Sequence, residues 1–314
     1  MGTSLQDAQQ IFTDTGLRTQ YGVILPPGSR VAAYVRSTGV QSDDTAFQST
    51  NLVTTLASGL ARVRAGFGDA VVVLPGHVEN VVDATMLSGL LAGTKIIGVG
   101  IGGNTPTFTW TATAASWNVA VNDVAIIGLR LLVDGINAVV NAINVTGADF
   151  QFLYNEIEVS TAAKAAAIVM TLGAGSNRFN ISNNVVRGLI ASPVTNGFLV
   201  SGSPTDARIA DNEMWFPSNT ANGNINITGT PLGIRILRNY VANTTAASVT
   251  ALNMANVAMD GVVGDNRFYC KNTGAMVSGT NVITFGAAVL CAFDNNLCSN
   301  DPRTSGIVLP TIDT

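Results

Sequence analysis

The chain has 314 residues, of which 47% are hydrophobic and only 11% are charged, and its formal net charge is -4. Soluble domains usually carry about 25% charged residues, so the exterior must use neutral polar side chains instead. The apolar runs are shorter than the roughly 18 residues of a spanning helix. The apolar content excludes a disordered chain, and the 32 glycines lack the collagen period.

The composition also limits the partners and cofactors. The N-terminal residues MGTSLQDAQQ have neither the basic nor the apolar region of a secretory signal. An acidic balance with few lysines argues against nucleic-acid binding. Cys270, Cys291 and Cys298 do not have zinc-ligand spacing, and His77 is the only histidine. We expect no nucleic-acid or membrane partner, no metal and no cofactor.

The first part of the chain differs from the rest. Residues 1–41 show no strong pattern and are expected to form an N-terminal arm. Residues 42–68 open with Asp43 and Asp44 and predict an α-helix that caps the first coil, since an exposed terminal coil would aggregate. The apolar residues at roughly helical spacing in this segment are Phe47, Leu52, Leu56, Leu60 and Val63.

Residues 69–300 repeat with a period of 27 to 30 residues. Each unit places one asparagine between two apolar strand positions, and these are Asn155, Asn184, Asn212, Asn239, Asn266 and Asn296. A second short strand, such as Ile143–Gly147, recurs about 14 residues upstream in each unit. Two weaker units precede these, with Gly98 and Gly128 at the asparagine place.

Such a repeat predicts an all-β fold, a single-stranded parallel β-helix of about eight coils that we expect to be right-handed. Equivalent residues would stack at the ~4.8 Å spacing of neighbouring strands. The six asparagines are therefore predicted to form a structural ladder of hydrogen-bonded amides at one corner. Stacking also accounts for the low charge, because like charges in one column repel. Residues 301–314 are expected to be a C-terminal tail.

The residue before each ladder asparagine forms the candidate charge column. In chain order it is Tyr154, Asn183, Asp211, Arg238, Asp265 and Asn295. Asp211 and Asp265 would lie two coils apart, near the upper separation of about 9.5 Å for an inverting glycosidase. With Arg238 between them, we interpret the column as charge neutralisation. It is catalytic only under an enzymatic alternative, and no catalytic residue is otherwise predicted.

Two other outward features are less specific. Glu156 and Glu158 precede Val185 and Arg187 by one coil, which suggests a solvated edge with an ion pair. Trp215 and Phe216 follow a ladder asparagine and are predicted to form an outward patch. A subunit contact is the favoured interpretation of that patch, and a host contact and a sugar platform are the alternatives.

The front of the repeat resembles known proteins. Residues 68–76, GDAVVVLPG, resemble the start of pectate-lyase-like β-helices in bacteriophage tailspikes and other virion proteins. The stretches LPGHVEN (Leu74–Asn80) and GTKIIGVGIGGNTPTFTW (Gly93–Trp110) resemble short β-helical capsid decoration, or cement, proteins of tailed phages. The resemblance covers about residues 40–300. It implies homotrimers that stand on a capsid.

We therefore expect a structural virion protein made in the host cytoplasm and placed on the capsid surface. Its expected partners are two further copies of the chain and the major capsid protein or other virion proteins. The alternative is a small tailspike-like protein that binds or cleaves a host surface polysaccharide, a glycoside hydrolase or lyase, with host glycan as its partner.

Overall fold

The computed structural model describes residues 29–37, 51–100, 102–161, 164–188, 193–218, 222–245, 250–254, 259–270, 282–285 and 289–300. Almost all regular structure in this part is β-strand. The first nine strands are β1 (Val31–Val35), β2 (Leu52–Val53), β3 (Ala70–Val73), β4 (Val78–Val81), β5 (Lys95–Gly98), β6 (Thr107–Trp110), β7 (Trp117–Val119), β8 (Ala125–Ile127) and β9 (Arg130–Leu132).

The middle of the chain continues with β10 (Ile143–Val145), β11 (Gln151–Leu153), β12 (Glu156–Ser160), β13 (Ile168–Leu172), β14 (Asn180–Ser182), β15 (Val185–Gly188), β16 (Asn196–Val200), β17 (Arg208–Ala210) and β18 (Glu213–Phe216). The last described strands are β19 (Ile225–Ile227), β20 (Ile234–Leu237), β21 (Tyr240–Asn243), β22 (Leu252–Met254), β23 (Met259–Gly264), β24 (Arg267–Cys270), β25 (Ile283–Phe285), β26 (Val289–Asp294) and β27 (Leu297–Asn300).

These strands form three parallel sheets. Sheet A has the order β2-β1-β3-β5-β8-β11-β14-β17-β20-β23-β26, sheet B has β27-β24-β21-β18-β15-β12-β9-β6-β4, and sheet C has β25-β22-β19-β16-β13-β10-β7. The chain passes from sheet C to sheet A to sheet B and then begins the next turn. The predicted parallel β-helix is confirmed. Seven described turns have a strand in each of the three sheets, which is close to the predicted eight coils.

The interior is filled by the apolar residues on either side of each corner asparagine. In sheet A, Phe152 pairs with Ile181, and the column continues through Ile209, Ile236 and Val263. Every one of these side chains has 0% exposure. Burying a side chain of this size contributes about 2 kcal/mol relative to leaving it in water. The alternation of inward and outward residues therefore fixes the register of the coils.

The predicted capping helix is not confirmed. Its first residues, 42–50, lie outside the described part of the chain, and Leu52–Val53 forms β2 instead of helix. The only described α-helix is the short α1, Leu56–Leu60, which starts at the N-cap residue Thr55. Gly59 packs closely there, because an added Cβ would lie 2.9 Å from Val71 Cγ1. Val31–Val35, within the expected arm, pairs with β3 in sheet A.

The register corrects one detail of the early coils. Ile127 pairs with Leu153 and Arg130 pairs with Glu156. Gly128 therefore aligns with Tyr154, one residue before the ladder position, and Leu129 takes the place of the asparagine. Gly128 has a φ of 70°, as expected at a position that requires a left-handed backbone. A 3-10 helix, Gly102–Asn104, follows β5.

Candidate functional site: polar columns at the corners of the coils

The corner between sheets A and B consists of two residues. The first residue of each corner has a left-handed backbone, with φ between 48° and 60° at Tyr154, Asn183, Asp211, Arg238, Asp265 and Asn295. The second residue is the ladder asparagine. This short turn directs the first side chain outward and the second inward. The corner thus produces two parallel columns that differ in solvent exposure.

The structure brings the six ladder asparagines into one hydrogen-bonded column. Each Nδ2 donates to the Oδ1 of the asparagine in the next coil. In chain order the five distances are 3.2, 2.9, 2.9, 3.0 and 2.9 Å. Asn155, Asn184, Asn212, Asn239 and Asn266 are only 1–2% exposed. A buried amide of this kind needs partners for its donors and its acceptor.

Backbone groups supply the remaining partners. Asn212 Nδ2 also donates to the Ile181 carbonyl oxygen at 2.9 Å, and Asn212 Oδ1 accepts from the Asn184 backbone N–H at 3.0 Å. The other ladder residues repeat this pattern. At the N-terminal end, Asn155 Oδ1 accepts from Leu129 N at 3.0 Å, because the preceding coil has no asparagine there. These hydrogen bonds therefore connect sheet A of one coil to the corner of the next coil.

The charge column lies one residue earlier. Arg238 Nε lies 2.7 Å from Asp211 Oδ1, and Arg238 Nη2 lies 2.9 Å from Asp211 Oδ2. Arg208 Nη2 reaches the same Asp211 Oδ2 at 3.0 Å. Hydrogen bonding to Asp211, followed by its charge, raises the pKa of Arg238. Asp265 Oδ1 accepts from Asn295 Nδ2 at 2.7 Å. Two guanidinium groups thus bind the same Asp211 carboxylate.

Sequence reasoning missed a second charge column, at the corner that leads into sheet A. Asp123, Asp149, Arg178 and Asp206 have φ values of 52–58° and occupy equivalent places in successive coils. Arg178 binds Asp149 through two contacts of 2.7 Å. The hydrogen bond from Arg178 lowers the pKa of Asp149. The signal was present in the sequence, since these residues recur at the repeat period just before each strand of sheet A.

Charged residues also pair across the outer face of sheet B. Arg187 Nη1 lies 3.7 Å from Glu156 Oε1, and Arg130 forms an ion pair with Glu158. Asp134 is nearby and 6% exposed. Burial raises the pKa of Asp134, and the negative charge of Glu158 raises it further. The edge predicted from Glu156, Glu158 and Arg187 is therefore a set of paired charges.

The predicted aromatic patch has a different composition. Trp215 is 49% exposed, but Phe216 is fully buried. Another exposed aromatic residue near Trp215 is Tyr240, which is 43% exposed. It lies in the strand next to Trp215, since Glu213 pairs with Tyr240 in the same register. Two aromatic side chains thus share the outer face of sheet B.

His77 and the cysteines have structural surroundings. His77 is buried, and its Nε2 lies 3.0 Å from Glu79 Oε2. The same carboxylate oxygen accepts from Leu56 N at 2.8 Å, which ties α1 to the first coils. Burial raises the pKa values of Cys291 and Cys298 to about 11. Their thiols are therefore protonated near neutral pH and are weak nucleophiles.

In the part of the chain that the structure describes, no group of three or more His, Cys, Asp and Glu residues is placed to bind a metal ion. None of the described helices has the length and apolarity to span a bilayer. No protein-family model matches this sequence, and no curated protein matches it.

Proposed function

We propose that the chain is a structural protein of a bacteriophage virion, with capsid decoration as its role and a homotrimer as its working form. The pairing of corner charges between successive coils carries this proposal. Asp211 with Arg238, and Asp149 with Arg178, neutralise each other along the outside of the solenoid. Surfaces of low charge suit protein assembly, since the cores of protein interfaces are depleted of charged residues.

The virion assignment rests on the resemblance of Leu74–Asn80 and Gly93–Trp110 to capsid decoration proteins. The proposed partners are two sister chains and the major capsid protein, on the capsid surface of a particle assembled in the host cytoplasm. Trp215 and Tyr240 are the proposed sister-chain contact. Aromatic residues are enriched where interfaces are fully buried.

The assembly state can be measured by light scattering of the purified full chain. We expect a mass three times that of the 32.4 kDa chain. Trp215→Ser should shift the mass toward the monomer, whereas Val140→Ser, at an exposed residue outside the patch, should not. A monomeric parent chain would contradict the trimer, and a trimer that survives Trp215→Ser would contradict the contact.

The virion role needs a separate test. Antibodies to the purified chain, applied to tailed-phage particles released by the host that carries its gene, should label heads in electron micrographs. Label confined to tails would favour the spike alternative. Particles that contain no copy of the chain by mass spectrometry would refute both virion roles.

Exposed Trp215 and Tyr240 favour one alternative, a spike that binds or cleaves host polysaccharide, because sugars stack on exposed aromatic faces. Its catalytic pair would be Asp211 and Asp265. Capsular polysaccharide or lipopolysaccharide incubated with the chain would then release oligosaccharide, and Asp211→Asn or Asp265→Asn would abolish the release. We expect no release from the parent chain.

A further inference from the structure

The outer face of sheet C differs from the other two outer faces in charge. One outward residue of each strand aligns with its counterparts in the neighbouring strands. We call this set the outer row, and in chain order it consists of Asn118, Asn144, Thr171, Leu199, Asn226, Asn253 and Thr284. None of these residues is charged. By contrast, the outer face of sheet B has Glu213 and Arg267, and that of sheet A has Arg235.

The outer row points away from the interior. On β10, Ile143 and Val145 are fully buried in the core, and Asn144 between them is partly exposed. Side chains of a strand alternate between the two faces of the sheet in this way. The next outward residues along the strands are also small and uncharged, and they are Ala120, Thr146, Gly173, Ser201 and Thr228. Sheet C therefore presents an uncharged outer surface of mostly short side chains.

The amides of the outer row satisfy one another in part. Asn253 Nδ2 donates to Asn226 Oδ1 at 3.0 Å, and Asn226 Nδ2 donates to Asn196 Oδ1 at 2.7 Å. Asn144 Nδ2 lies 3.4 Å from Asn118 Oδ1. A polar group that already has a protein partner loses less when it is covered than one that depends on water. A second protein can therefore cover this surface at a low desolvation cost.

Leu199 is the apolar residue of the outer row. It pairs with Thr171 on one side and with Asn226 on the other. Its neighbours along the strand, Phe198 and Val200, belong to the interior core. An outward leucine gains free energy when another apolar group removes it from water. Leu199 is therefore the place on the outer row where an apolar side chain of a partner gains most.

Trp215 belongs to the same coil as Leu199. The strands β16, β17 and β18 follow one another through sheets C, A and B. Trp215 is the last outward residue of β18, beside the corner that leads to sheet C, and it is 49% exposed. Asp211 precedes β18, at the corner from sheet A. Trp215 can therefore reach a neighbouring chain while the charge column stays in water.

The symmetry of a trimer relates these two residues. A ring of three identical chains uses two different surfaces of each chain. The outer row crosses six strand spacings, roughly 29 Å at ~4.8 Å each. Only a neighbour that lies alongside the solenoid covers a row of this length, which requires a three-fold axis parallel to the solenoid. Rotation about that axis moves no residue along the solenoid, so Trp215 and Leu199 of adjacent chains stand within one coil of the same height.

We infer that, in the proposed homotrimer, Trp215 of each chain packs on Leu199 in the outer row of the next chain. The inference rests on the homotrimer and adds the surface that receives Trp215. In the coil before, Arg187 aligns with Trp215 and stands level with Thr171 of the next chain. A hydroxyl group can accept a hydrogen bond from a guanidinium group. The apolar residue of the row thus meets the tryptophan, and a polar residue meets the charge.

Leu199→Asp in the full chain tests this contact by light scattering. We expect the trimer to dissociate at a concentration at least about tenfold higher than the parent does, as after substitution at the centre of an interface. Val262→Asp places the same carboxylate on the outer face of sheet A and should leave the trimer unchanged. A monomeric parent overturns both the homotrimer and this contact. A trimer that Leu199→Asp does not weaken overturns this contact alone.

Tryptophan fluorescence reports on the contact with a milder change. Trp110 and Trp117 are fully buried, so acrylamide in solution reaches mainly Trp215. Leu199→Ala removes part of the apolar contact without adding a charge and should increase the quenching of Trp215. Val262→Ala is the matched control and should not. Equal quenching in the parent trimer and in Leu199→Ala would contradict the contact.

Mixing two variants tests whether two different surfaces meet. Leu199→Asp keeps Trp215, and Trp215→Ser keeps Leu199, so neither variant alone forms an intact contact. A mixture forms one such contact between unlike chains. We expect two-chain species in the mixture at concentrations where each variant alone is monomeric. A two-fold contact of Leu199 with its own copy predicts no such recovery, and a mixture that stays monomeric would overturn the inference.

Discussion

The amide column and the charge column stand one residue apart at the same corner, yet they follow different rules. The buried position is asparagine in every coil from Asn155 to Asn296. The exposed position tolerates a phenol, an amide, a carboxylate and a guanidinium. Water satisfies an exposed polar group, whereas a buried one depends on its neighbour in the next coil. Burial therefore restricts the residue more strongly than the left-handed backbone does.

Breaking the buried column should have the largest effect on stability. Asn212→Ala leaves Asn184 N and Asn184 Nδ2 without their acceptor and removes the side-chain donor to Asn239 Oδ1, whereas the backbone N–H of residue 212 still donates to that oxygen. We expect a loss of about 3 kcal/mol, since each unsatisfied buried group costs roughly 1–3 kcal/mol. Urea unfolding followed by circular dichroism measures it. Asn183→Gly, at the exposed position beside the ladder, is the control and should be nearly neutral. Identical unfolding midpoints for the two variants would contradict the comparison.

A buried charge should behave like the buried amides. Asp69 is fully buried and accepts hydrogen bonds from Arg64, whose Nη2 lies 2.7 Å from Asp69 Oδ1. These bonds lower the pKa of Asp69 to about 2. Because the folded-state pKa lies below that of the unfolded chain, the pair stabilises the fold above about pH 4. That contribution is lost as the pH falls toward 2.

Melting temperatures measured between about pH 5 and pH 2 test this expectation. Asp69→Asn should be less stable than the parent at neutral pH and should lose less stability on acidification. If both proteins show the same dependence on pH, Asp69 does not contribute in this window.

Breaking the exposed column should have a smaller effect. Asp211→Asn and Arg238→Gln each remove one charge of a solvent-exposed pair, and exposed pairs contribute little to stability. A double-mutant cycle on melting temperature should give a coupling several-fold smaller than the shift caused by Asn212→Ala. A coupling of the same size would show that the exposed column also holds the coils together.

Salt should produce the smallest change and should separate the two columns. The Arg178–Asp149 pair is exposed, so raising NaCl from about 0.05 M to about 0.5 M screens it. The difference in melting temperature between the parent and Arg178→Gln should shrink over this range. The difference for Asn212→Ala should stay constant, because neutral amides are not screened. If the melting-temperature differences of Arg178→Gln and Asn212→Ala changed equally with salt, the charge column and the amide column would not differ in screening.

The comparison also shows where sequence reasoning reached its limit. The period of the asparagines was sufficient to predict coils, their inward apolar residues and the parallel sheets. The prediction that Gly128 takes the place of a ladder asparagine was wrong by one residue. Gly128 lies at the left-handed position before the ladder position, and the two were confused because asparagine also tolerates a left-handed backbone. The column of Asp123, Asp149, Arg178 and Asp206 was missed because a column of mixed residue types has no single-letter signature.

The N-terminal region was the least predictable. Leu52 and Leu56 fit a helical pattern, but Leu52 belongs to β2 and only Leu56–Leu60 is helical. Helical spacing of a few apolar residues does not exclude a strand. A segment beside an open sheet edge can form backbone hydrogen bonds to that edge and become a strand. Tyr34 N binds the Asn51 carbonyl in this way.

The sequence by itself determined the repeat, the parallel β-helix and the neutrality of its columns, because each follows from residues that recur at one spacing. The tertiary structure decided which polar residues are buried and which charges meet. Those properties depend on contacts between residues distant in the sequence, such as Asp69 with Arg30. The repeat period of the sequence does not specify these contacts.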